Sequence, residues 1–382
     1  MMNIINIIIK NKRFIFAIVL AMFISSSNAQ NTHAQTNKNT TSITVTDMVG
    51  RTVTLPGPVK RIVLSESRQI MTLGLLYKDP LSHVAAWGND LQRFSPALYD
   101  ALRKHFPTAD HIPNVGELTN RSFSMEAVIA AKPDLVIFTL YGPTPEGIER
   151  LDKAGIPYVF VDFFRKPLEK TVPSMLMLGK LLGKDKEAQS FVDYYNQHMA
   201  RISSRLKGLD RPKVLFHLNA NGKDCCFSSG HGNVSDFIAA AGGKNIGIDK
   251  IPGAGGKLSL EYIMLRDPDY YLIGGGSLAA LTGLKIGPSI SKDQVADSIT
   301  IMMKAPGIAN LRAVREHKAG GIWLFFFDTP LFFVGVEEMT KMFHPAEFKD
   351  INPDRTLEEL NEKFMAFPLE GTFWIDEGIK SQ

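Results

Sequence analysis

The chain has 382 residues, of which 45% are apolar and 21% are charged, so it can bury a large core and is not a disordered protein. Its 43 Lys and Arg face 39 Asp and Glu, and three of these basic residues lie within the first 29 positions. Without that segment, 40 basic residues balance 39 acidic ones, which argues against a nucleic-acid-binding protein, because such proteins keep a strong basic excess. The length predicts two domains.

The first 29 residues have the layout of a secretory signal peptide. Lys10–Arg13 is a positive cluster, Phe14–Ile24 is an uninterrupted apolar run, and Ser27–Ala29 supplies small residues for a signal peptidase. A membrane anchor is the alternative, but this apolar run is shorter than the roughly 20 residues that span a bilayer. We expect cleavage after position 29, with Ala34 as the second choice. The product is a periplasmic protein without a lipid anchor, and residues 30–42 form a flexible leader.

Strand and helix patterns alternate through the next part of the chain. Residues 43–55 alternate apolar residues with Thr around Asp47–Gly50, which is typical of a hairpin. The strand patterns that follow are Arg61–Leu64, His83–Trp87, Leu135–Leu140 and Tyr158–Phe163, with helical patterns at Ser124–Ala131 and Pro145–Lys153. This alternation predicts parallel βα units, and residues 43–184 are expected to form an N-terminal α/β lobe.

A long helix is predicted over residues 185–209. Its apolar residues recur at helical spacing without Gly or Pro until Gly208, and at about 1.5 Å per residue it would reach about 36 Å, enough to connect two lobes.

A second α/β series over residues 210–348 follows; its patterns are Lys213–Leu218, Val234–Ala241, Leu260–Leu265, Tyr270–Ile273, Ile322–Phe327 and Phe333–Phe343. Residues 349–382 are an acidic, aromatic C-terminal extension.

An internal repeat relates the two halves of the chain. Residues 124–138 and 259–273 align without a gap at a separation of 135 positions. In both copies a Ser can cap a short helix, a Glu follows in the first turn, Pro-Asp ends the helix and an apolar strand begins. Two lobes of similar construction therefore flank the long helix.

The two cysteines of the chain, Cys225 and Cys226, are adjacent. Neighbouring residues rarely reach ordinary disulfide geometry without strain, so we expect two partly buried thiols. The alternative is a vicinal dithiol that senses redox state or binds a soft metal.

Short runs along the chain carry a family resemblance. They are Thr46–Pro56, Lys60–Val63, Met125–Ile137, Leu151–Val159, Gly230–Gly243, Ser259–Glu261 and Phe343–Phe348. In number and order they resemble the iron-siderophore and cobalamin periplasmic binding proteins of ABC importers, the class with a helical backbone. The resemblance implies two Rossmann-like α/β lobes with central sheets, joined by one long helix. It also implies a ligand cleft between the lobes, and docking of a monomer onto a permease dimer in the inner membrane.

Glu126 and Glu261 occupy matching positions in the internal repeat. Each has a structural explanation, because an acid in the first turn of a helix interacts favourably with the helix dipole. In the family that the sequence resembles, a Glu at this place in each lobe pairs with arginines of the permease. We therefore assign both to permease docking, since exposed rim charges orient an encounter.

The ligand is expected at the carboxyl ends of the strands, where open α/β sheets bind their ligands. The residues selected there are Ser65, Arg68, Trp87, Tyr141, Arg165, His217, Asn219 and Phe327, together with Glu66, Phe164, Ser277 and Asp328. Ferric siderophores are bulky and often anionic, so arginines and aromatic rings suit them. Arg165 and Tyr141 come directly after convincing strands, whereas His217 has the sequence context of a buried strand-end histidine, with contact to a bound metal as the alternative.

These observations predict a binding protein that captures a ferric siderophore and delivers it to an importer. Haem and cobalamin remain alternative ligands. A direct metal-ion receptor is a further alternative, but the nine histidines are scattered and form no His-rich loop. A secreted hydrolase built on Ser228 or Ser229, His231 and Asp236 would have its residues too close in sequence. We expect no catalysis, no cofactor other than the transported ligand and no metal held by protein ligands.

Overall fold

Two α/β lobes and a connecting helix make up the part of the chain described by the structure, a computed structural model covering residues 42–118, 121–141, 144–223, 225–276 and 283–377. The predicted signal peptide and all but the last residue of the predicted leader lie outside the described residues. The predicted fold class, two α/β lobes with central sheets joined by one long helix, is confirmed.

The N lobe is built on a four-stranded parallel sheet. Its strands, with those of a preceding hairpin, are β1 (Ile43–Thr46), β2 (Thr52–Leu55), β3 (Ile62–Leu64), β4 (Val84–Trp87), β5 (Leu135–Thr139) and β6 (Tyr158–Val161). Its helices are α1 (Ile70–Gly74), α2 (Asp90–Phe94), α3 (Pro96–His105), α4 (Met125–Ala130), α5 (Glu149–Lys153) and α6 (Pro167–Leu182). The strand order is β4-β3-β5-β6. Strands β5 and β6 are buried along their whole length, as the apolar runs of a sheet covered on both faces require.

Helix α7 (Asp185–Arg205) connects the lobes and begins where the sequence predicts, but it ends four residues earlier. At about 1.5 Å per residue its 21 residues span about 32 Å. It packs closely against α6 at Gly179, where a Cβ atom would lie 2.5 Å from the Cβ of Ala188. Two turns further along nearly the same face, the ring of Tyr195 lies 5.6 Å from that of Phe332 in the C lobe. The connecting helix is therefore fixed to both lobes along its length.

The C lobe repeats the design of the N lobe with an added antiparallel edge. Its strands are β7 (Lys213–Leu218), β8 (Phe227–Ser229), β9 (Lys244–Asn245), β10 (Gly255–Lys257), β11 (Tyr270–Gly275), β12 (Gly287–Pro288), β13 (Ala319–Trp323), β14 (Gly371–Thr372) and β15 (Trp374–Asp376). Its helices are α8 (Val234–Ala240), α9 (Leu260–Arg266), α10 (Lys292–Met303), α11 (Arg312–Arg315), α12 (Phe332–Phe343) and α13 (Pro353–Lys363). The central sheet has the order β15-β13-β11-β7-β9, in which β15 alone is antiparallel.

The internal repeat has a structural cause. Ser124 and Ser259 each cap a short helix by accepting a hydrogen bond from the amide three residues on, at 3.1 and 3.2 Å. Asp134 accepts from the amide of Arg61 at 2.9 Å, just before β3, and Asp269 accepts from the amide of Lys213 at 2.8 Å, at the start of β7. In both lobes the Pro-Asp corner thus fixes the start of the neighbouring strand, which is why the repeat keeps an Asp there.

The C-terminal segment contributes to the C-lobe sheet and also reaches the N lobe. Strand β15 pairs with β13, and the ring of Phe364, just after α13, lies 5.1 Å from that of Tyr194 in α7. Ala366 approaches Gly74 of α1, and the ring of Phe367 lies 6.4 Å from that of Phe106 in the N lobe. The segment that the sequence sets apart as an extension is therefore packed into the folded structure.

Within the described ranges, no helix combines the length and the apolar character that a membrane-spanning helix needs.

Candidate ligand site

Polar and aromatic side chains follow the carboxyl ends of the N-lobe strands. The segment after β3 carries Arg68, and the segment after β5 carries Tyr141. Because parallel strands end at the same edge of a sheet, these side chains meet: Nη1 of Arg68 donates to the hydroxyl of Tyr141 at 2.8 Å. The ring of Tyr141 also lies 4.5 Å from that of Phe164, which follows β6. The structure therefore brings together three residues that sequence reasoning selected separately.

Arg68 lies among carboxylates from both lobes. Its Nε is 2.8 Å from Oδ2 of Asp90 and 3.9 Å from Oε2 of Glu66, and its Nη1 forms an ion pair with Asp328 of the C lobe. We call Glu66, Arg68, Asp90, Tyr141 and Asp328 the Arg68 cluster. Arg68 is only 7% exposed. Its role as a ligand contact stays a prediction, and a ligand would have to compete with carboxylates that already surround the guanidinium.

Burial changes the protonation balance of the Arg68 cluster. Burial raises the pKa of Glu66 well above its usual range, although Arg68 lowers it. Burial also raises the pKa of Asp328, against the opposing effect of Arg68, and raises that of Tyr141. Oε2 of Glu66 has no hydrogen-bond partner among the described residues. Desolvation thus acts against the charged forms of Glu66 and Asp328, and the charge of Arg68 acts in their favour.

The two lobes touch beside the Arg68 cluster. Nε2 of Gln69 donates to the carbonyl of Asp328 at 3.0 Å, which adds a second link next to the Arg68–Asp328 ion pair. Nδ2 of Asn233 in the C lobe donates to the carbonyl of Phe164 in the N lobe at 3.2 Å, and to that of Phe327 at 3.0 Å. The described structure is therefore one in which the lobes are held together by polar contacts at the cleft.

A cavity of about 750 Å³ opens at the carboxyl edge of the N-lobe sheet. Its apolar wall includes Phe123 and Phe160, and Tyr141 joins it to the Arg68 cluster. Two arginines, Arg121 and Arg150, and two acids, Glu126 and Glu146, also line it. We call this space the N-lobe cavity, and its volume lies in the range of about 300–1,000 Å³ that is usual for small-molecule sites.

The arginines of the N-lobe cavity differ in their surroundings. Arg150 forms an ion pair with Glu126, whose side chain is 70% exposed. Arg121 is exposed and makes no ion pair within the part of the chain that the structure describes. A cation that is accessible in a concave, partly apolar space can form charge-assisted hydrogen bonds with an anionic oxygen ligand.

Three predicted ligand residues lie inside the lobes rather than at the cleft surface. Ser65 is 1% exposed, and its hydroxyl accepts from the amide of Thr139 at 3.3 Å. Trp87 is buried with its ring 6.4 Å from that of Tyr99. Phe327 is buried with its ring 5.0 Å from that of Phe237.

The other predicted ligand residues are spread over the cleft edge and the C-lobe sheet. Arg165 and Asn219 are exposed, and the amide of Arg165 donates to Asp162 at 2.7 Å. His217 is buried, and its Nδ1 lies 2.8 Å from the hydroxyl of Tyr271. Burial lowers the pKa of His217 to about 4, so the ring is neutral at neutral pH. The hypothesis for Ser277 falls outside the described residues.

Comparison with known proteins identifies the family. The family described as periplasmic binding protein matches residues 75–319, which is more than half of the chain. The chain belongs to this periplasmic binding protein family. Members of the family bind solutes, and the family is not a class of enzymes.

Individual relatives of this periplasmic binding protein agree with its fold. A TroA-like periplasmic binding protein, FepB from Veillonella parvula, has a TM-score of 0.80 at 25% identity and covers 87% of this chain and 99% of its own. The haem-binding protein RhuT from Roseiflexus sp. RS-1 has a TM-score of 0.54 at 20% identity, over 75% of this chain and 99% of its own, and shares the fold. A vitamin B12-binding protein of Yersinia pestis is 24% identical over 156 residues, which is 41% of this chain and 54% of the relative. The chain thus spans about half the length of the curated relatives that it matches.

The two acids that sequence reasoning assigned to docking are both exposed, in the first turns of α4 and α9. The pKa of Glu126 is lowered by a hydrogen bond from its own backbone and by Arg150. The pKa of Glu261 is lowered by the equivalent backbone hydrogen bond and by Ser259. Both carboxylates are therefore charged at neutral pH. Their predicted contact with a permease stays a prediction.

The prediction of two thiols at Cys225 and Cys226 is wrong. The structure joins the two sulfur atoms in a disulfide, and the peptide bond between the residues is cis. Across the usual trans peptide, consecutive Cα atoms lie about 3.8 Å apart. Here the two Cα atoms are 3.1 Å apart, and both side chains extend to the same side of the chain.

Sequence reasoning missed the arginines of the N-lobe cavity. It searched the first residues after each strand, whereas Arg121 lies before α4 and Arg150 lies in α5. The sequence contained one indication of Arg150, because this residue lies in the helix that the pattern predicts between β5 and β6. It follows Glu126 by 24 residues. Arg121 has a positive φ of 60°, a backbone conformation that is uncommon for an arginine and cannot be predicted from the sequence.

Proposed function

We propose that this periplasmic binding protein captures a ferric siderophore in the cleft between its lobes, with the N-lobe cavity as the main binding surface. The cavity carries the proposal because it combines adequate volume with two arginines and aromatic side chains. Ferric siderophores present carbonyl or catecholate oxygens, often with net negative charge. Arg121 and Arg150 would donate charge-assisted hydrogen bonds to these oxygens, while Phe123 and Tyr141 would contact flat apolar faces.

The proposal extends to export and delivery. The signal peptide over residues 1–29 would direct the chain to the periplasm, where it acts as a monomer. Glu126 and Glu261 would then meet a permease dimer of an ABC importer in the inner membrane, one lobe for each permease subunit. The connecting helix α7 packs on both lobes, so ligand capture would involve a small closure rather than a wide hinge motion.

Cobalamin is the second candidate ligand, because a curated relative is a vitamin B12-binding protein. Haem is a third, by analogy with a neighbour that shares the fold. The side chains of cobalamin are mostly neutral amides, so its binding depends less on two cavity arginines than that of an oxygen-rich anionic chelate. The effect of removing one arginine therefore distinguishes the siderophore from cobalamin, whereas haem, with its two propionates, is distinguished by direct titration.

The test compares the wild type with Arg121→Gln by quenching of tryptophan fluorescence, using a trianionic ferric tris-catecholate chelate and cobalamin as separate probes. Loss of a hydrogen bond from a charged group costs about 1.5–3 kcal/mol, so affinity for the ferric chelate should fall about 10- to 150-fold. Arg103→Gln is the matched control, since Arg103 is exposed and lies outside the cavity. Tight binding of cobalamin together with no binding of the ferric chelate would exclude the siderophore.

A further inference from the structure

Arg150 takes part in two features of the N lobe at once. It lines the N-lobe cavity, where the ligand is proposed to bind. Its Nη1 also forms an ion pair with Oε1 of Glu126, the acid proposed to dock onto the permease. Both side chains are more than half exposed, at 52% for Arg150 and 70% for Glu126. The same guanidinium is therefore within reach of a ligand in the cavity while it pairs with a docking acid that lines the rim of that cavity.

The matching acid of the C lobe has no such partner. Glu261 lies in the first turn of its helix, as Glu126 does, but makes no ion pair with any residue that the structure describes. Apolar side chains lie exposed near it on α9, with Met264 at 54% and Leu265 at 84%. The two acids are equivalent in the sequence repeat, but only the acid beside the cavity is neutralised by a lobe residue.

We propose that an anionic ligand in the N-lobe cavity draws Arg150 away from Glu126 and so frees this acid for docking. The inference rests on the proposed function, because it assigns a regulatory role to the same cavity. An exposed ion pair is worth little in water, so ligand oxygens can replace the carboxylate of Glu126 at low cost. When ligand is bound, the N lobe therefore displays Glu126 without its cation. When the cavity is empty, Arg150 neutralises Glu126.

Linkage makes this exchange measurable without a permease. If ligand binding releases Glu126 from Arg150, removal of the Glu126 carboxylate must strengthen ligand binding by the same factor. Because exposed pairs contribute at most about 1 kcal/mol, the expected gain is about two- to fivefold. The effect should shrink at high salt, which screens exposed charges.

The experiment is a double-mutant cycle on the full mature chain, with the trianionic ferric tris-catecholate chelate as the probe. Glu126→Gln should raise affinity about two- to fivefold, and Arg150→Gln should lower it. In the Arg150→Gln background, the gain from Glu126→Gln should be clearly smaller, because no cation remains to be released and only direct repulsion between the chelate and the carboxylate is left. Glu358→Gln is the matched control, since Glu358 pairs with Arg355 at 3.8 Å on an equally exposed surface outside the cavity.

Each outcome bears on the proposal. An equal gain in both backgrounds would mean that Glu126 acts only as a nearby negative charge, and the coupling through Arg150 would be refuted. No gain in the wild-type background, with binding intact, would also refute it while leaving the proposed function standing. Failure of the wild type to bind the chelate would refute both.

A second readout follows the acid itself. With the diamagnetic gallium(III) form of the same chelate, carbon-detected NMR should show the pKa of Glu126 rising on ligand binding, because the cation that stabilises the carboxylate moves away. Glu261 serves as the internal reference, and its pKa should not change. A pKa of Glu126 that stays constant at saturating ligand would contradict the exchange.

Discussion

Replacing Arg68 with methionine tests the energetic role of the Arg68 cluster. The substitution keeps an aliphatic side chain but removes the cation that lies among Glu66, Asp90 and Asp328, all of them largely buried. Leaving buried carboxylates without their cation costs about 3–5 kcal/mol. Since the free energy of unfolding of a domain is usually about 5–15 kcal/mol, the variant should fold but be markedly less stable than the wild type.

The assay is guanidinium chloride denaturation followed by circular dichroism, at pH 7 and pH 5. Without Arg68, the folded-state pKa values of Glu66 and Asp328 should rise further above their unfolded values. The folded variant then binds more protons than the unfolded chain, so its stability increases as the pH falls. The free energy of unfolding of the variant should thus lie further below that of the wild type at pH 7 than at pH 5.

The control for this prediction is Arg103→Met. Arg103 pairs with Asp100 at 3.0 Å with both side chains at least half exposed, so its loss should change the free energy of unfolding by less than about 1 kcal/mol. A deficit for Arg68→Met no larger than that of the control, or one that does not vary between the two pH values, would refute the reasoning.

Three further predictions concern buried groups elsewhere. Burial raises the pKa of Glu338 to about 8, so the free energy of unfolding of the wild type should fall by about 3–5 kcal/mol as the pH rises from 5 to 9. In urea denaturation, Glu338→Gln should remove this pH dependence, and an unchanged pH dependence would contradict the prediction. Burial lowers the pKa of His217 to about 4, so the free energy of unfolding should fall by roughly 3 kcal/mol as the pH drops from 6.5 to 4. His217→Gln should remove this decrease, and a decrease of the same size in the variant would contradict the prediction. Gly179→Val should cost about 1–3 kcal/mol by overpacking against α7, and Ala188→Gly should recover part of that loss; an additive double variant would show that the two sites do not meet.

The two-lobe fold could be predicted because its signals are local and repeated. The Ser cap, the Pro-Asp corner and the apolar strand occur in both halves, and each performs the same local task in the structure. Helix α7 could be predicted from its uninterrupted apolar spacing. Helix α6 was not predicted, since Pro173 and Gly179 lie inside it and packing against α7 outweighs their poor helix propensity.

The candidate site could be predicted only in part. Strand-end position correctly brought Arg68, Tyr141 and Phe164 to one edge, because parallel strands align their carboxyl ends. It could not show that Arg68 pairs with Asp328, which is 260 residues away in the chain and belongs to the other lobe. Nor could it show that Arg150 lines a cavity, because a cavity arises from tertiary packing of loops that have no periodic pattern.

The disulfide between the cysteines also lay beyond sequence reasoning. Peptide bonds outside X-Pro are trans in nearly all cases. A local exception of this type leaves no trace in composition or periodicity.

The most direct test of the proposed function is a calorimetric titration of the mature chain with four probes: the ferric tris-catecholate chelate, haem, cobalamin and ferric ion without a chelator. A periplasmic receptor for ferric siderophores should bind the ferric chelate with one-to-one stoichiometry and at least about 100-fold more tightly than any other probe, a difference of about 2.7 kcal/mol. Binding of haem or cobalamin with higher affinity than the ferric chelate, or of ferric ion alone, would contradict the assignment.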